Sequence, residues 1–482
     1  MAAPESQLSE RGLLGAPRDR RFWVLVGLAA LTRLVWVIWV HPPQDHVFSD
    51  MAHYVHRARL VAGFELEPGM RKMAWQAYGT HVLLAIPMLL LGPGQSALEV
   101  ASFIWAACSA ATVVLAYDLA WLTLPGPRVA DAKDDAIHWP ALVVATVTLL
   151  WFPFVSHTGY FTSEAPFTCA LLATTLAIAR VLHTGKGLVG AGVWAALAFM
   201  LRPQSGLFLA LLGLAWLIDR RAPTWFRAIG WREAARFAAP VAVALLVSML
   251  RFGYYTGELG VVAENGTMNL TAGRCHNVVT RAYASEAELE ASARDGERRH
   301  QRRVSLPGFR ALAAEGPDHQ LALRPALGTE SLDIVGYIGD PEAHAALRQR
   351  CYAETGVAGQ LRYSLVNVAL LAVVARPWPE SSDHTSPHWL PVALRARDLA
   401  ALLTPLALFG LGLALVGWAR CRDASDHLRR ASLGVCALQL VSLLIVAAVF
   451  FGTPRLRTPY DPYALILLVH VLSWAHGAWR GR

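Results

Sequence analysis

Apolar residues fall along the chain in long runs separated by short polar stretches, a pattern that predicts membrane-spanning helices in place of half-buried strands. The first run, Phe22 to Val40, follows Arg18, Arg20 and Arg21 and is long enough at helical rise to cross about 30 Å of hydrocarbon. The sequence after it, His41-Pro42-Pro43-Gln44, has no small-residue cleavage site, so the run is expected to be a retained helix entering from the cytoplasm. Further runs lie near 97–122, 139–155, 164–183, 188–201, 203–218, 237–255, 398–419, 431–452 and 462–479. Together they predict an all-α polytopic membrane protein of about ten transmembrane helices.

Positive charge orients these helices. Arg220, Arg221, Arg227, Arg232 and Arg236 cluster in one loop, and Arg420, Arg422, Arg429 and Arg430 in another; both are expected to be cytoplasmic. Arg480 and Arg482 place the C-terminus on the same side. An even number of crossings then joins two cytoplasmic ends, provided that Thr80 to Leu91, interrupted by Pro87, is re-entrant or interfacial. The expected organisation is a cytoplasmic tail (1–21), an N-terminal transmembrane catalytic module (22–255) with an external loop at 41–79, an external loop domain (256–397) and C-terminal transmembrane helices (398–482). Within the loop domain, Glu286 to Arg303 is a charged stretch that reads as a solvated helix or excursion.

Composition supports the membrane reading. Of 482 residues 55% are hydrophobic and only 16% charged, and a mean hydropathy of +0.38 excludes a soluble enzyme on a single anchor. The net charge of +8 sits largely in short inter-helix loops, so it does not point to nucleic acid. Six cysteines without a CxxC pair make neither a zinc module nor a disulfide scaffold.

Four outward segments carry candidate chemistry. Asp50, in Phe48-Ser49-Asp50-Met51, is a general-base candidate at the mouth of an apolar cavity, though a helix cap is also consistent with its place, and Asp45 or His46 could substitute. Glu164, in Thr162-Ser163-Glu164-Ala165-Pro166, sits at membrane depth, where an ionisable group usually lines a cavity; a favourable place at a helix N-terminus explains it equally. Arg202, between two short apolar runs before Pro203, can present a planar fork to phosphate or snorkel to the interface. Arg455 and Arg457, just before the last helix, put positive charge in a short external loop, against the orientation rule, which suggests an anionic partner or lipid headgroups. There is no Walker A or DxD pattern, and no metal site or cofactor is expected.

In this order, these segments resemble the C-type (GT-C) superfamily of integral-membrane glycosyltransferases, which includes protein O-mannosyltransferases, aminoarabinose transferases of lipid A and lipid-linked mannosyltransferases. The resemblance covers about 20–275 and 400–475. It rests on Asp50 followed by Tyr54, Ala58 and Gly63; Ser163-Glu164-x-Pro166; Leu201-Arg202-Pro203-Gln204; Glu264-Asn265-Gly266-Thr267-Met268-Asn269; and Pro454-Arg455-Leu456-Arg457-Thr458-Pro459-Tyr460-Asp461-Pro462. It implies a GT-C type helical bundle with a large external loop domain, and transfer, with inversion, from a polyprenyl phosphate sugar donor to a lipid, protein or glycan acceptor hydroxyl. The active site would face outward, in a bacterial inner (plasma) membrane. Asp50 and Glu164 would be catalytic, and Arg202, Arg455, Arg457, Tyr54 and Asn265 would bind substrate. Many relatives carry a second acidic residue where Met51 stands. Two other functions fit a chain of this kind: a polysaccharide polymerase or ligase, and a lipid-linked substrate transporter, although no internal repeat supports the last. Of the cysteines, only Cys275 and Cys351 fall in the expected external compartment, and they are expected to form a disulfide.

Overall fold

A computed structural model of the chain describes residues 20–125, 138–220, 226, 229–275, 279–283, 285, 287, 331–335, 339–372, scattered positions between 388 and 413, and 427–480. Helix α1 (Arg20–Val35) ends in a wider turn over Trp36–Val40. Then come α2 (Ser49–Ala62), α3 (Gly79–Leu91), α4 (Gln95–Thr123), α5 (Trp139–Leu150), α6 (Phe152–Thr158), α7 (Glu164–Thr184), α8 (Leu188–Leu201), α9 (Ser205–Asp219) and α10 (Trp231–Thr256). The second part holds α11 (Asn265–Arg274), strands β1 (Val279–Tyr283) and β2 (Ser331–Val335), α12 (Pro341–Ala369), α13 (His427–Val449), the single turn α14 (Pro454–Arg457) and α15 (Asp461–Arg480).

The membrane part is all-α. Among its described residues the long loop adds one short parallel ladder, in which Val279 pairs with Ser331 and Tyr283 with Val335. Among the described residues five helices are long and apolar enough to cross a membrane: those at Arg20–Asp45, Gln95–Thr123, Glu164–Thr184, Trp231–Thr256 and Leu428–Val449. A sixth forms if α5 and α6, bent by 49° at Trp151, count as one broken span. Helices α3, α8 and α9 are shorter apolar helices. Most of the expected crossing at 398–419, the arginines at 18, 221, 227, 420, 422 and 482, and most of the charged stretch 286–303 lie outside the described residues.

The breaks follow from backbone chemistry. Arg202 is extended (φ −147°, ψ 111°) because the ring of Pro203 disfavours helical geometry at the residue before it. That single residue ends α8 and places its own guanidinium at the bundle end. Between α5 and α6 Trp151 leaves helical geometry (ψ 106°) two residues before Pro153, whose ring and missing N–H cannot continue the α5 ladder. The short helix α3 does not run from one end of the bundle to the other. At its start, a Cβ on Gly79 would meet the backbone of Met200 and Leu201, next to Arg202. Four residues past its end, Gln95 donates to the Asp45 carboxylate (3.2 Å), just before α2. Both ends of α3 therefore stand at the end of the bundle that carries Asp50.

The core is divided among α1, α4, α5, α7, α13 and α15, where Phe22, Val113, Leu171, Leu443 and Tyr463 are buried together, and a second cluster in which α2, α3 and α4 bury Met51, Tyr54, Leu84 and Trp105. This second cluster fixes α2, and hence Asp50, against the membrane helices. In the long loop, Cys275 and Cys351 are joined by a disulfide, tying the end of α11 to α12.

Candidate active site

Helix α2 begins with Ser49 in a left-handed backbone conformation (φ 49°), which puts Asp50 in the first turn, facing the rest of the bundle end. Its Oδ2 accepts a hydrogen bond from Nη1 of Arg455 at 3.0 Å, and its side chain remains 34% exposed. Arg455 belongs to α14, a turn started by Pro454 and capped by Thr453, whose hydroxyl accepts from Leu456 N at 3.1 Å. Asp50 and Arg455 are 405 residues apart in sequence, so only the fold brings them together.

Behind them lies Glu164, the first residue of α7, 1% exposed. One of its oxygens, Oε1, accepts from Nη2 of Arg202 and from Nε of Arg455. Arg202 also donates through Nε to Ser163 Oγ (2.7 Å) and lies over the ring of Phe167. One buried carboxylate therefore fixes two guanidiniums. Burial by itself would lower the Arg455 pKa; the carboxylates of Glu164 and Asp50 outweigh it and hold the guanidinium more firmly charged than usual. Burial, reinforced by Asp50 and Glu164, pushes the Tyr54 hydroxyl up, so Tyr54 is a neutral hydrogen-bonding group.

These groups surround a cavity of about 820 Å³. Asp50, Tyr54, Arg202, Arg455 and Asn265 all line it, so the structure brings five of the expected site residues to one space. Its other walls differ in character. Ile445, Val446, Val449 and Phe450 at the end of α13 contribute an apolar side, while Trp75, Gln76, Gln204 and Asn269 are uncharged polar or aromatic lining residues. Among the described residues no group of three His, Cys, Asp or Glu side chains stands placed to hold a metal ion.

Two expected residues do not line the cavity. Glu164 is not among the cavity-lining residues; it is the shared counter-ion of Arg202 and Arg455, because its carboxylate is enclosed behind them. Arg457 is also turned away from the cavity. Its Nε donates to Asp461 Oδ1 (2.8 Å) and its Nη1 to the carbonyl of Leu371 (3.0 Å), and Trp151 donates to the other oxygen of the same carboxylate (2.8 Å). Asp45, the alternative base, accepts from Gln95 and does not line the cavity. Sequence reasoning missed Trp75 and Gln76, and named Gln204 only as part of the Leu201–Gln204 patch, without a role. For Gln204 its place directly after Arg202-Pro203 was an available sign; for Trp75 and Gln76, in an irregular loop, there was none.

No protein-family model matches the chain, and no curated protein matches it. Among solved structures, the chain is similar to the archaeal oligosaccharyltransferase AglB from Archaeoglobus fulgidus, in complex with an inhibitory peptide and a dolichol-phosphate, at 11% identity and a TM-score of 0.46, over 95% of this chain and 51% of that one. This chain thus spans about half the length of the archaeal protein. It is also similar to ArnT from Cupriavidus metallidurans in the apo state (12% identity, TM-score 0.35, 93% of this chain and 76% of that one). The same protein bound to undecaprenyl phosphate gives 12% identity and a TM-score of 0.36, over 94% and 78% of the two chains.

Proposed function

We propose that this protein is an integral-membrane glycosyltransferase of the C type, which moves a sugar from a polyprenyl phosphate donor to an acceptor hydroxyl at the outer face of the membrane. The observation that carries this reading is the arrangement at one cavity of an accessible carboxylate, Asp50, beside two guanidiniums, Arg202 and Arg455, fixed by one buried carboxylate. Asp50 takes the proton of the acceptor hydroxyl; the hydroxyl oxygen forms a bond to the anomeric carbon as the bond from that carbon to the phosphate oxygen breaks. The phosphate leaves with the electron pair and an added negative charge, which guanidiniums already held in place stabilise without reorganisation. A single displacement inverts the anomeric centre. The apolar wall at the end of α13 suits a lipid carrier.

On the same reading, 1–21 is a cytoplasmic tail, 22–255 the catalytic transmembrane module, 256–397 an external domain and 398–482 the closing helices, in a bacterial plasma membrane. The basic loops assigned to the cytoplasm by the positive-inside rule support this orientation. Purified protein incubated with radiolabelled short-chain polyprenyl phosphate hexoses and pentoses, and with membrane glycan, lipid or protein fractions, is expected to transfer label from at least one donor. Transfer from none of them, with uptake of an intact lipid-linked sugar across a bilayer, would assign the protein to transport instead.

A further inference from the structure

Gln76 lies in the irregular segment between α2 and α3 and is 7% exposed, yet it lines the cavity. Two arginines converge on it. Arg57, from α2 and 3% exposed, donates through Nη2 to Gln76 Oε1 and through Nη1 to the carbonyl of Lys72 (3.0 Å). Arg251, from α10, donates to the main-chain carbonyls of Gln76 (3.2 Å), Met73 (2.8 Å) and Val262 (2.7 Å). A guanidinium has donors only, so the contact with Arg57 fixes the amide flip: the oxygen faces Arg57, and the NH2 group is the half left for the cavity. Among the described residues Nε2 of Gln76 has no protein partner. Because its oxygen accepts from a cation, the NH2 is also a stronger donor than an ordinary amide.

The wall around it is rigid and uncharged. Glu264 N donates to Ala74 O (3.0 Å) and Asn265 N to Trp75 O (3.2 Å), which joins the start of α11 to this segment. Asn265 and Asn269, four residues apart on α11, share one face and both line the cavity. One amide fixed in orientation, at Gln76, with the Asn265 and Asn269 amides and an aromatic side chain in the same cavity lining and no ionised group among them, matches the many oxygens and apolar C–H faces of an uncharged sugar.

We propose that Gln76 is a substrate-contact and specificity-determining residue, whose NH2 group donates to an uncharged hydroxyl or ring oxygen of carbohydrate, with Trp75, Asn265 and Asn269 completing a neutral sugar subsite in the cavity that Arg202 and Arg455 also line. This rests on the proposed glycosyl transfer. That oxygen belongs either to the sugar being transferred or to a glycan acceptor.

The test is Gln76→Glu in the full chain, in nanodiscs. The carboxylate keeps the size of the side chain and its contact with Arg57 while removing the donor, so a merely structural role leaves stability and turnover at or above wild type. Gln76→Met removes the donor without adding charge. Three quantities are read for each variant: affinity for short-chain polyprenyl phosphate without sugar, affinity for the same lipid phosphate carrying a hexose, and KM for a glycan acceptor. Loss of one hydrogen bond from a buried donor is worth about tenfold. The expected result is that loss in both variants, with affinity for the sugar-free lipid phosphate unchanged. It falls on the hexose-bearing ligand if Gln76 reads the transferred sugar, and on acceptor KM if it reads the acceptor. Wild-type behaviour in both variants overturns the assignment, as does parallel weakening of the sugar-free lipid phosphate in both, which makes Gln76 a phosphate contact. If wild-type protein transfers no sugar from any polyprenyl phosphate donor, the glycosyl-transfer reading itself fails, and this assignment with it.

Discussion

The two arginines of Pro454-Arg455-Leu456-Arg457 look equivalent in sequence and are opposite in structure. Arg455 reaches Asp50 and Glu164 at the cavity, whereas Arg457 is committed to Asp461 and the Leu371 carbonyl. The i,i+4 spacing of Arg457 and Asp461 was legible as a helical ion pair and identifies Arg457 as structural. The role of Glu164 was not legible, since its partners lie 38 and 291 residues away. Lysine at 455 offers one point charge where a fork now bridges two carboxylates, so Arg455→Lys is expected to lower kcat by about tenfold or more. Arg457→Lys is expected to lower Tm and leave kcat near wild type; a loss of donor affinity there would return Arg457 to the phosphate site. Glu164→Gln removes the buried anion that two guanidiniums share, leaving Arg455 only Asp50, and is expected to destabilise by roughly 3–5 kcal/mol. A scanning-calorimetry Tm equal to wild type would contradict the enclosed-triad description.

At the scale of elements, hydropathy located the long helices well, because burial in lipid imposes an apolar run whatever the tertiary contacts. It could not decide whether α3 crosses, since 13 residues are ambiguous between a short span and an interfacial segment. The contacts at Gly79 and Gln95 settle where its two ends stand. In a cysteine-light background, Glu67→Cys and Gly94→Cys flank α3, and both are expected to react with a membrane-impermeant maleimide from the same side. Labelling from opposite sides would make α3 a crossing. The pair β1–β2 escaped the hydropathy pattern because a short ladder inside a polar loop has neither length nor alternation to reveal it.

Across the whole molecule, the disulfide-linked unit braces the segment that delivers Arg455. Arg274, beside Cys275, donates to the carbonyl of Ala448 near the end of α13. Asn367 of α12 donates to Gly273 O (3.2 Å), and a Cβ on Gly273 would collide with the Phe450 carbonyl. Gly273→Ala is therefore expected to cost roughly 1–3 kcal/mol as an overpacked contact and to slow transfer by displacing Thr453 to Arg455. Opening the 76-residue loop closed by Cys275 and Cys351 by reduction is expected to remove on the order of 4 kcal/mol in the chain-entropy model. An unchanged Tm after reduction would contradict this. The residues that meet at the cavity were largely visible in sequence as polar positions at helix ends; the cooperation between distant segments was not, because no local pattern encodes it. The most direct test of glycosyl transfer at this cavity is a comparison of wild type with Asp50→Asn in nanodiscs, measuring both sugar transfer from a radiolabelled polyprenyl phosphate sugar and equilibrium binding of the same donor. The amide keeps the shape of the carboxylate and cannot take the proton, so turnover is expected to fall below about a tenth of wild type while the donor still binds. Transfer at the wild-type rate by Asp50→Asn would contradict the assignment of Asp50 as base.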